Sequence, residues 1–361
     1  MRLVFVTQVL DREDAVLGFV CRWVEGLAQH AESVRVIALE VGDVSGFPPN
    51  VSVRELGRRG RLSRLLRYHR LLREAFGQDG FQGILTHMVP RYSTHAAGMA
   101  RRYGAAHGLW YTHKGVDGRL RKGVRAAQLV FTASAESMRI DTDKKRVTGH
   151  GIDLQHFPTR STPTPFAQGK GPARLLSVGR LTPAKDPLCV LNAVAALLQE
   201  GRDVRLDWAG GALAAGDQAF GDGLRERVRA LGMEDRVHFL GDVSYGDIPG
   251  RFAAADVFLS ASRTGSVDKV VLEAMASGVP VVTCNESFPP IFAALKGDQA
   301  QGLYFEKGHA DELALRTRAL LDLDAKARQQ LGRELRLIVE RDHEVDGLMQ
   351  RLVLMMRELQ Q

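Results

Sequence analysis

Residues 260–283 read SASRTGSVDKVVLEAMASGVPVVT, a turn rich in Gly, Ser and Thr that opens onto a short apolar helix and is followed by a strand containing Pro280. The first turn of a helix carries unpaired N–H groups and the positive end of the peptide dipole. An anion such as phosphate is therefore expected at Thr264, Gly265 and Ser266. From Val270 to Ala276 the one polar side chain is Glu273. A carboxylate set in an apolar run needs hydrogen-bond donors where it is buried, and sugar hydroxyls are donors of that kind.

Outward from this segment the chain reads as two successive α/β halves. Apolar runs at 3–7, 35–39, 83–86, 108–111, 129–132 and 146–148 are predicted strands, separated by helical patterns such as 17–29 and 92–103. A second series follows at 174–178, 205–208, 236–240, 257–259, 279–283 and 302–305. Strands alternating with helices imply parallel sheets covered on both faces. The predicted organisation is a first Rossmann-like domain over 1–157, a linker over 158–173, a second domain over 174–340, and a C-terminal helix over 341–361 that packs back on the first domain. The linker is placed by the Pro, Thr and Gly content of PTRSTPTPFAQGKGPAR.

Length and composition agree with this division. At 361 residues the chain exceeds what one core organises, and 45% hydrophobic with 25% charged residues describes a soluble globular protein. Cys21, Cys189 and Cys284 are far apart in apolar stretches and read as reduced, buried thiols. The opening MRLVFVTQVLDRED lacks the pattern of a signal peptide, and no run reaches the length of a membrane span. A cytoplasmic protein is expected, peripheral on the inner face of the membrane if the basic surface below is used.

Further candidates sit where strands end. The run 174–178 leads into GRLTPAKDP, which places Gly179, Arg180 and Lys185 at the edge where parallel sheets bind ligands. WAGG brings Gly210 and Gly211 to the end of the next strand, and DRVHFLGDVSY brings Val243 after the one beyond. In the first half, Gly18 follows the first strand and its loop, and His113 ends LWYTH.

Together these segments resemble the large retaining glycosyltransferase family with the two-domain GT-B fold, often called family 4, in its TGSxDK form. The resemblance is strong over about 145–325. It implies that the loop and helix around Gly265, Ser266, Val267 and Asp268 hold a nucleotide-sugar donor, UDP- or GDP-linked, and that Glu273 binds the ribose. The first carboxylate of the family's Glu-x7-Glu pair falls at Gly265, so backbone amides of Ser266 and Val267, or Asp268, would grip the transferred sugar instead. Arg180 and Lys185 match the residues that meet the diphosphate, where they would neutralise charge as it leaves. Gly18 matches a glycine beside the donor phosphates, and His113 a histidine facing the sugar. The implied activity is metal-independent hexosyl transfer to a sugar or lipid-linked acceptor, as in bacterial envelope or exopolysaccharide assembly. The alternatives are a catalytically idle nucleotide-sugar-binding protein, or an epimerase or phosphorylase of the same fold.

Other motifs carry less. Asp141 and Asp143 form a DxD next to Lys144 and Lys145 in a predicted turn, away from the donor motifs. GDG at 221–223 lacks the third glycine of a dinucleotide fingerprint, and His and Cys show no zinc spacing. No cofactor or metal is expected. Net charge is +7, with Arg54, Arg58, Arg59, Arg61, Arg64, Arg67, Arg70 and Arg73 crowded in one stretch. On the helix from Arg61 to Phe76, Leu62, Leu65, Leu66, Leu72 and Phe76 form a stripe with Arg64, Arg67 and Arg70 opposite. That surface suits anionic lipid, extended by Lys114, Arg119, Arg121, Lys122 and Arg125. No aromatic platform accompanies the charge, so nucleic acid is not an expected partner.

Overall fold

Strands that are apolar on both faces need helices above and below them, and the chain supplies both layers twice. The computed structural model describes residues 1–14, 16–58, 60–211, 215–296 and 299–360. The chain divides into one unit of Met1–Gly151 with Asp342–Gln361 and another of Ile152–Arg341.

In the first unit β1 (Arg2–Leu10), β2 (Ser33–Val41), β3 (Val51–Glu55), β4 (Gly83–His87), β5 (Ala106–Trp110), β6 (Leu129–Thr132) and β7 (Lys145–Val147) form a parallel sheet in the order β3-β2-β1-β4-β5-β6-β7. Helices α1 (Phe19–His30), α2 (Arg61–Gly77), α3 (Pro90–Arg102) and α4 (Gly118–Ala126) connect them. The second unit is a parallel sheet of β8 (Ala173–Val178), β9 (Val204–Ala209), β10 (Val237–Phe239), β11 (Val257–Ser260) and β12 (Val281–Thr283), in the order β10-β9-β8-β11-β12. Its helices are α5 (Pro187–Gln199), α6 (Ala215–Ala230), α7 (Ile248–Ala254), α8 (Lys269–Ala276), α9 (Phe288–Phe292), α10 (Gln299–Gly302), α11 (Ala310–Asp322) and α12 (Ala325–Asp342).

The last helix, α13 (Val345–Glu358), belongs to the first unit. Glu344 caps it by accepting from the N–H groups of Asp346 and Gly347. It packs on α1 because Gly26 leaves room: a Cβ there would lie 2.8 Å from Met349 Cγ. Arg22 clamps the same contact by pairing with Asp346 at 2.6 Å.

Three expectations are corrected. Residues 158–173 are no free linker, because Thr164 donates its hydroxyl to Asp256 and Arg160 Nη1 reaches Ala255 O at 2.7 Å, tying the segment into the second unit. The division falls earlier, at Gly151/Ile152. Over 302–305 a single bridge, Thr283 to Tyr304, replaces the predicted strand, since α10 occupies the chain up to Gly302. The edge strand β3 was not anticipated; its residues are half-buried or exposed and give no apolar run.

Candidate functional site

In the second unit the chain winds from β8 outward to β10 and then crosses to β11, so the loops after β8 and β11 leave the sheet in opposite directions. Such a reversal opens a crevice at the C-terminal ends of the strands. Gly179, Arg180 and Lys185 follow β8, Gly210 and Gly211 follow β9, Val243 follows β10, and Gly265 to Asp268 follow β11. The fold therefore brings these ten candidates to one edge, and Glu273 sits in α8, the helix that the last of these loops feeds.

Two of the loops touch backbone to backbone. Gly179 has φ +144° and Gly210 φ +130°, and a Cβ on Gly210 would lie 2.3 Å from Gly179 O. Trp208 Nε1 donates to the same carbonyl at 2.8 Å, which fixes the turn after β8. Gly210→Ala is therefore expected to destabilise the protein by about 1–3 kcal/mol from backbone strain alone. Urea unfolding checks this; an unchanged midpoint would show that the turns can part freely.

The cations behave differently from each other. Arg180 is exposed, and its guanidinium meets no partner among the described residues. Lys185 Nζ instead donates to both oxygens of Asp268, at 2.9 and 3.0 Å, and Ser260 Oγ adds a third hydrogen bond to that carboxylate at 3.1 Å. Asp268 is 7% exposed. Its carboxylate is thus occupied by Lys185 and Ser260 in this structure. Nearby, Arg263 Nε pairs with Asp186 at 2.8 Å and its N–H donates to Ala184 O, which joins the loop after β11 to the loop after β8.

The helix begins later than expected. Its first residue is Lys269, with Asp268 at the N-cap and the Val271 N–H donating to Asp268 O. Thr264, Gly265 and Ser266 lie upstream in a loop, where Gly265 has φ +66° and Ser266 O accepts from Asn285 Nδ2 at 2.7 Å. The first helical turn therefore starts at Lys269, not at Thr264.

Glu273 is 3% exposed. Lys269, one turn before it, donates to Oε1 at 2.5 Å, while Oε2 accepts from none of the described residues. Lys269 Nζ also lies 4.9 Å from the centre of the Tyr245 ring, which stacks on His156 at 4.3 Å and 14°. Burial, then the Glu273 charge, pushes the Tyr245 hydroxyl pKa up, so it stays a neutral donor. A buried carboxylate with one satisfied and one open oxygen suits a ligand that brings hydroxyls. Gly211 N–H donates to Asp242 Oδ1 at 3.0 Å, and Val243 is half-buried beside it.

The remaining candidates belong to the first unit. Gly18 precedes α1, where a Cβ would meet Asp14 O at 2.7 Å and Arg12 O at 2.8 Å; close backbone, not a positive φ, demands glycine. His113 lies beyond the end of β5 in an exposed loop, and its Nδ1 accepts from the Gly115 N–H at 3.0 Å. Asp141 and Asp143 are both exposed before β7, and no cluster of metal-ligating residues occurs among the described residues.

Residues 162–337 match the family described as Glycosyl transferases group 1. The lipopolysaccharide core biosynthesis mannosyltransferase LpsB of Rhizobium meliloti is 36% identical over 171 residues, 45% of this chain and 46% of that protein. A D-inositol 3-phosphate glycosyltransferase of Mycobacterium marinum is 36% identical over 169 residues, 46% of this chain and 34% of that protein. The matched part of the chain thus spans less than half the length of these relatives. The structure of Anabaena HepE in complex with UDP superimposes with a TM-score of 0.79 at 18% identity, covering 99% of this chain and all of that one. The fold is accordingly that of the GT-B glycosyltransferases, with two Rossmann-like parallel-sheet domains.

Sequence reasoning missed the Lys269–Glu273 pair, although the four-residue spacing was visible. It also missed Tyr245, His156, Asp186 and Arg263, which only tertiary structure brings to the site.

Proposed function

We propose that the C-terminal edge of the second unit is the donor site of a glycosyltransferase that moves a sugar from a UDP- or GDP-sugar to a sugar or lipid-linked acceptor. The observation that carries this reading is Glu273, buried with one oxygen open, on the same sheet edge as the free Arg180 and the seated Lys185. Glu273 takes the ribose hydroxyls. Arg180 and Lys185 meet the diphosphate, whose charge grows as the sugar leaves, so they act most strongly in the transition state. The departing phosphate helps deprotonate the incoming hydroxyl on the same face, with retention and without metal. The family resemblance assigns His113 to the sugar and Gly18 to the phosphates. The UDP in the HepE structure supports a uridine donor, and the named role of LpsB supports envelope polysaccharide assembly.

The test is release of nucleoside diphosphate from a panel of UDP- and GDP-sugars. Release that persists in EDTA supports the proposal; saturable binding with no release would favour a sugar-nucleotide-binding protein, consistent with Gly265 in place of a carboxylate. Complete loss in EDTA with rescue by manganese would return Asp141 and Asp143 to consideration.

For the lipid-linked acceptor, α2 is the docking surface. The wheel stripe splits in the structure: Tyr68, Leu71, Leu72, Ala75 and Phe76 are buried, whereas Leu62 is 70% and Leu66 63% exposed. Arg67 is tied to Glu55 O at 2.8 Å, while Arg61, Arg70 and Arg73 are exposed, and Arg59 lies outside the described residues. Exposed leucines among arginines suit an anionic bilayer interface. No helix among the described residues is long and apolar enough to cross a membrane. Replacing Arg61, Arg70 and Arg73 by Gln should release the protein from anionic vesicles, since each is worth about 1 kcal/mol at the surface. Equal sedimentation of parent and variant would remove α2 from this role.

A further inference from the structure

A second cavity lies at the opposite edge of the same sheet. Asp256 immediately precedes β11 and Ser277 and Gly278 precede β12, and they line a cavity of about 340 Å³ together with Arg160, Arg328, Lys326 and Arg333. Four cations face it and one carboxylate does. That carboxylate is already satisfied, by the Thr164 hydroxyl on Oδ1 and by the Arg174 N–H at 2.9 Å on Oδ2, and no ion pair joins it to an arginine among the described residues.

Arg328 is only 7% exposed. Its Nη1 donates to the carbonyls of Leu320, Leu321 and Leu323 at 3.3, 3.0 and 2.7 Å, and Phe166 lies against one face of the guanidinium at 4.8 Å. Its Nε and Nη2 donate to none of the described residues. Arg160 is half-buried and spends one nitrogen on Ala255 O. Burial lowers the pKa of both guanidinium groups; Asp256 opposes this at each, Asp324 also opposes it at Arg328, and the charge of Arg328 adds to it at Arg160. One buried and one half-buried guanidinium, each with open nitrogens and no ion-paired carboxylate among the described residues, gain from an arriving anion, and the guanidinium fork matches phosphate oxygens. Lys326 and Arg333 on α12 supply further charge at the rim, and Ser161 and Thr162 supply hydroxyls.

We propose that this cavity binds a small phosphate monoester, gripped by Arg160 and Arg328 and rimmed by Lys326 and Arg333, at a site separate from the donor edge. The ester's hydroxyls meet Ser161 and Thr162. The proposal does not depend on what binds at Glu273.

Calorimetric titration with glucose 6-phosphate, inorganic phosphate and UDP tests it on the full chain. The ester should bind at one saturable site, more tightly than inorganic phosphate and without competition from UDP. Lys326→Gln with Arg333→Gln, both exposed and away from the core, should weaken the ester roughly tenfold, and Arg160→Gln should abolish it. UDP affinity should stay at the parent value in each variant. No saturable binding by either phosphate probe, ester binding unchanged in the rim variant, displacement by UDP, or equal affinity for inorganic phosphate would each overturn the assignment. Failure of UDP alone to bind would remove the uridine donor from the donor reading and leave this one to be decided by the phosphate titrations.

Discussion

Glu273→Gln weakens binding of the nucleotide-sugar donor by about 1.5–3 kcal/mol, roughly ten- to more than a hundredfold, while the unfolding midpoint moves little. The amide keeps the shape of the side chain, so packing around α8 survives. What is lost is the charge that strengthens each hydrogen bond from a ribose hydroxyl, and the open Oε2 position becomes an amide on one of the two rotamers. Lys269, whose side chain is 21% exposed, can turn to water when its partner is neutralised. Titration of parent and variant with the same nucleotide sugar measures the effect. Equal affinities would mean that Glu273 serves only to pair Lys269.

The second large effect concerns Lys185. Its side chain is 22% exposed and that of Asp268 7%, so the pair is largely removed from water. Removing one member of a buried pair leaves an uncompensated charge, which costs about 3–5 kcal/mol. Lys185→Met should therefore lower stability by that order, and adding Asp268→Asn should recover much of the loss. In the double variant stability returns while turnover does not, because the cation that meets the leaving diphosphate is still missing. Arg180→Ala separates the roles from the other side: it is exposed and unpaired among the described residues, so it should depress kcat with the midpoint unchanged. If the double variant regained full turnover, Lys185 would be a structural residue alone.

Both α/β series were legible because buried parallel strands are apolar throughout and stand out between helical patterns. The loops at the C-terminal edge of the second sheet were legible for the same reason: Gly179 and Gly210 directly follow such strands, and Gly265 lies in the loop after β11. What the sequence hid were contacts between distant residues. Lys185 and Asp268 are 83 positions apart, and the stack of His156 on Tyr245 has no local signature at all. The start of α8 was misplaced because Thr264, Gly265 and Ser266 look like a helix opening, whereas Asn285 holds Ser266 O in a loop. A helical wheel ranks α2 by residue type; it could not tell that the sheet takes Tyr68 and Leu71 and leaves Leu62 and Leu66 outside. The segment 158–173 reads as a linker by composition, yet Thr164 and Arg160 bury their polar atoms against Asp256 and Ala255 O.

Thermal unfolding in a series of nucleotides tests the donor site most directly. A ligand that binds only the folded protein raises stability by about 2.7 kcal/mol at a hundredfold excess over its dissociation constant. UDP or GDP, and the matching nucleotide sugar, should raise the midpoint of the parent protein, and the same additions should move Glu273→Gln much less. A midpoint that no nucleoside diphosphate or nucleotide sugar shifts, at millimolar concentration, would contradict a donor site at this edge.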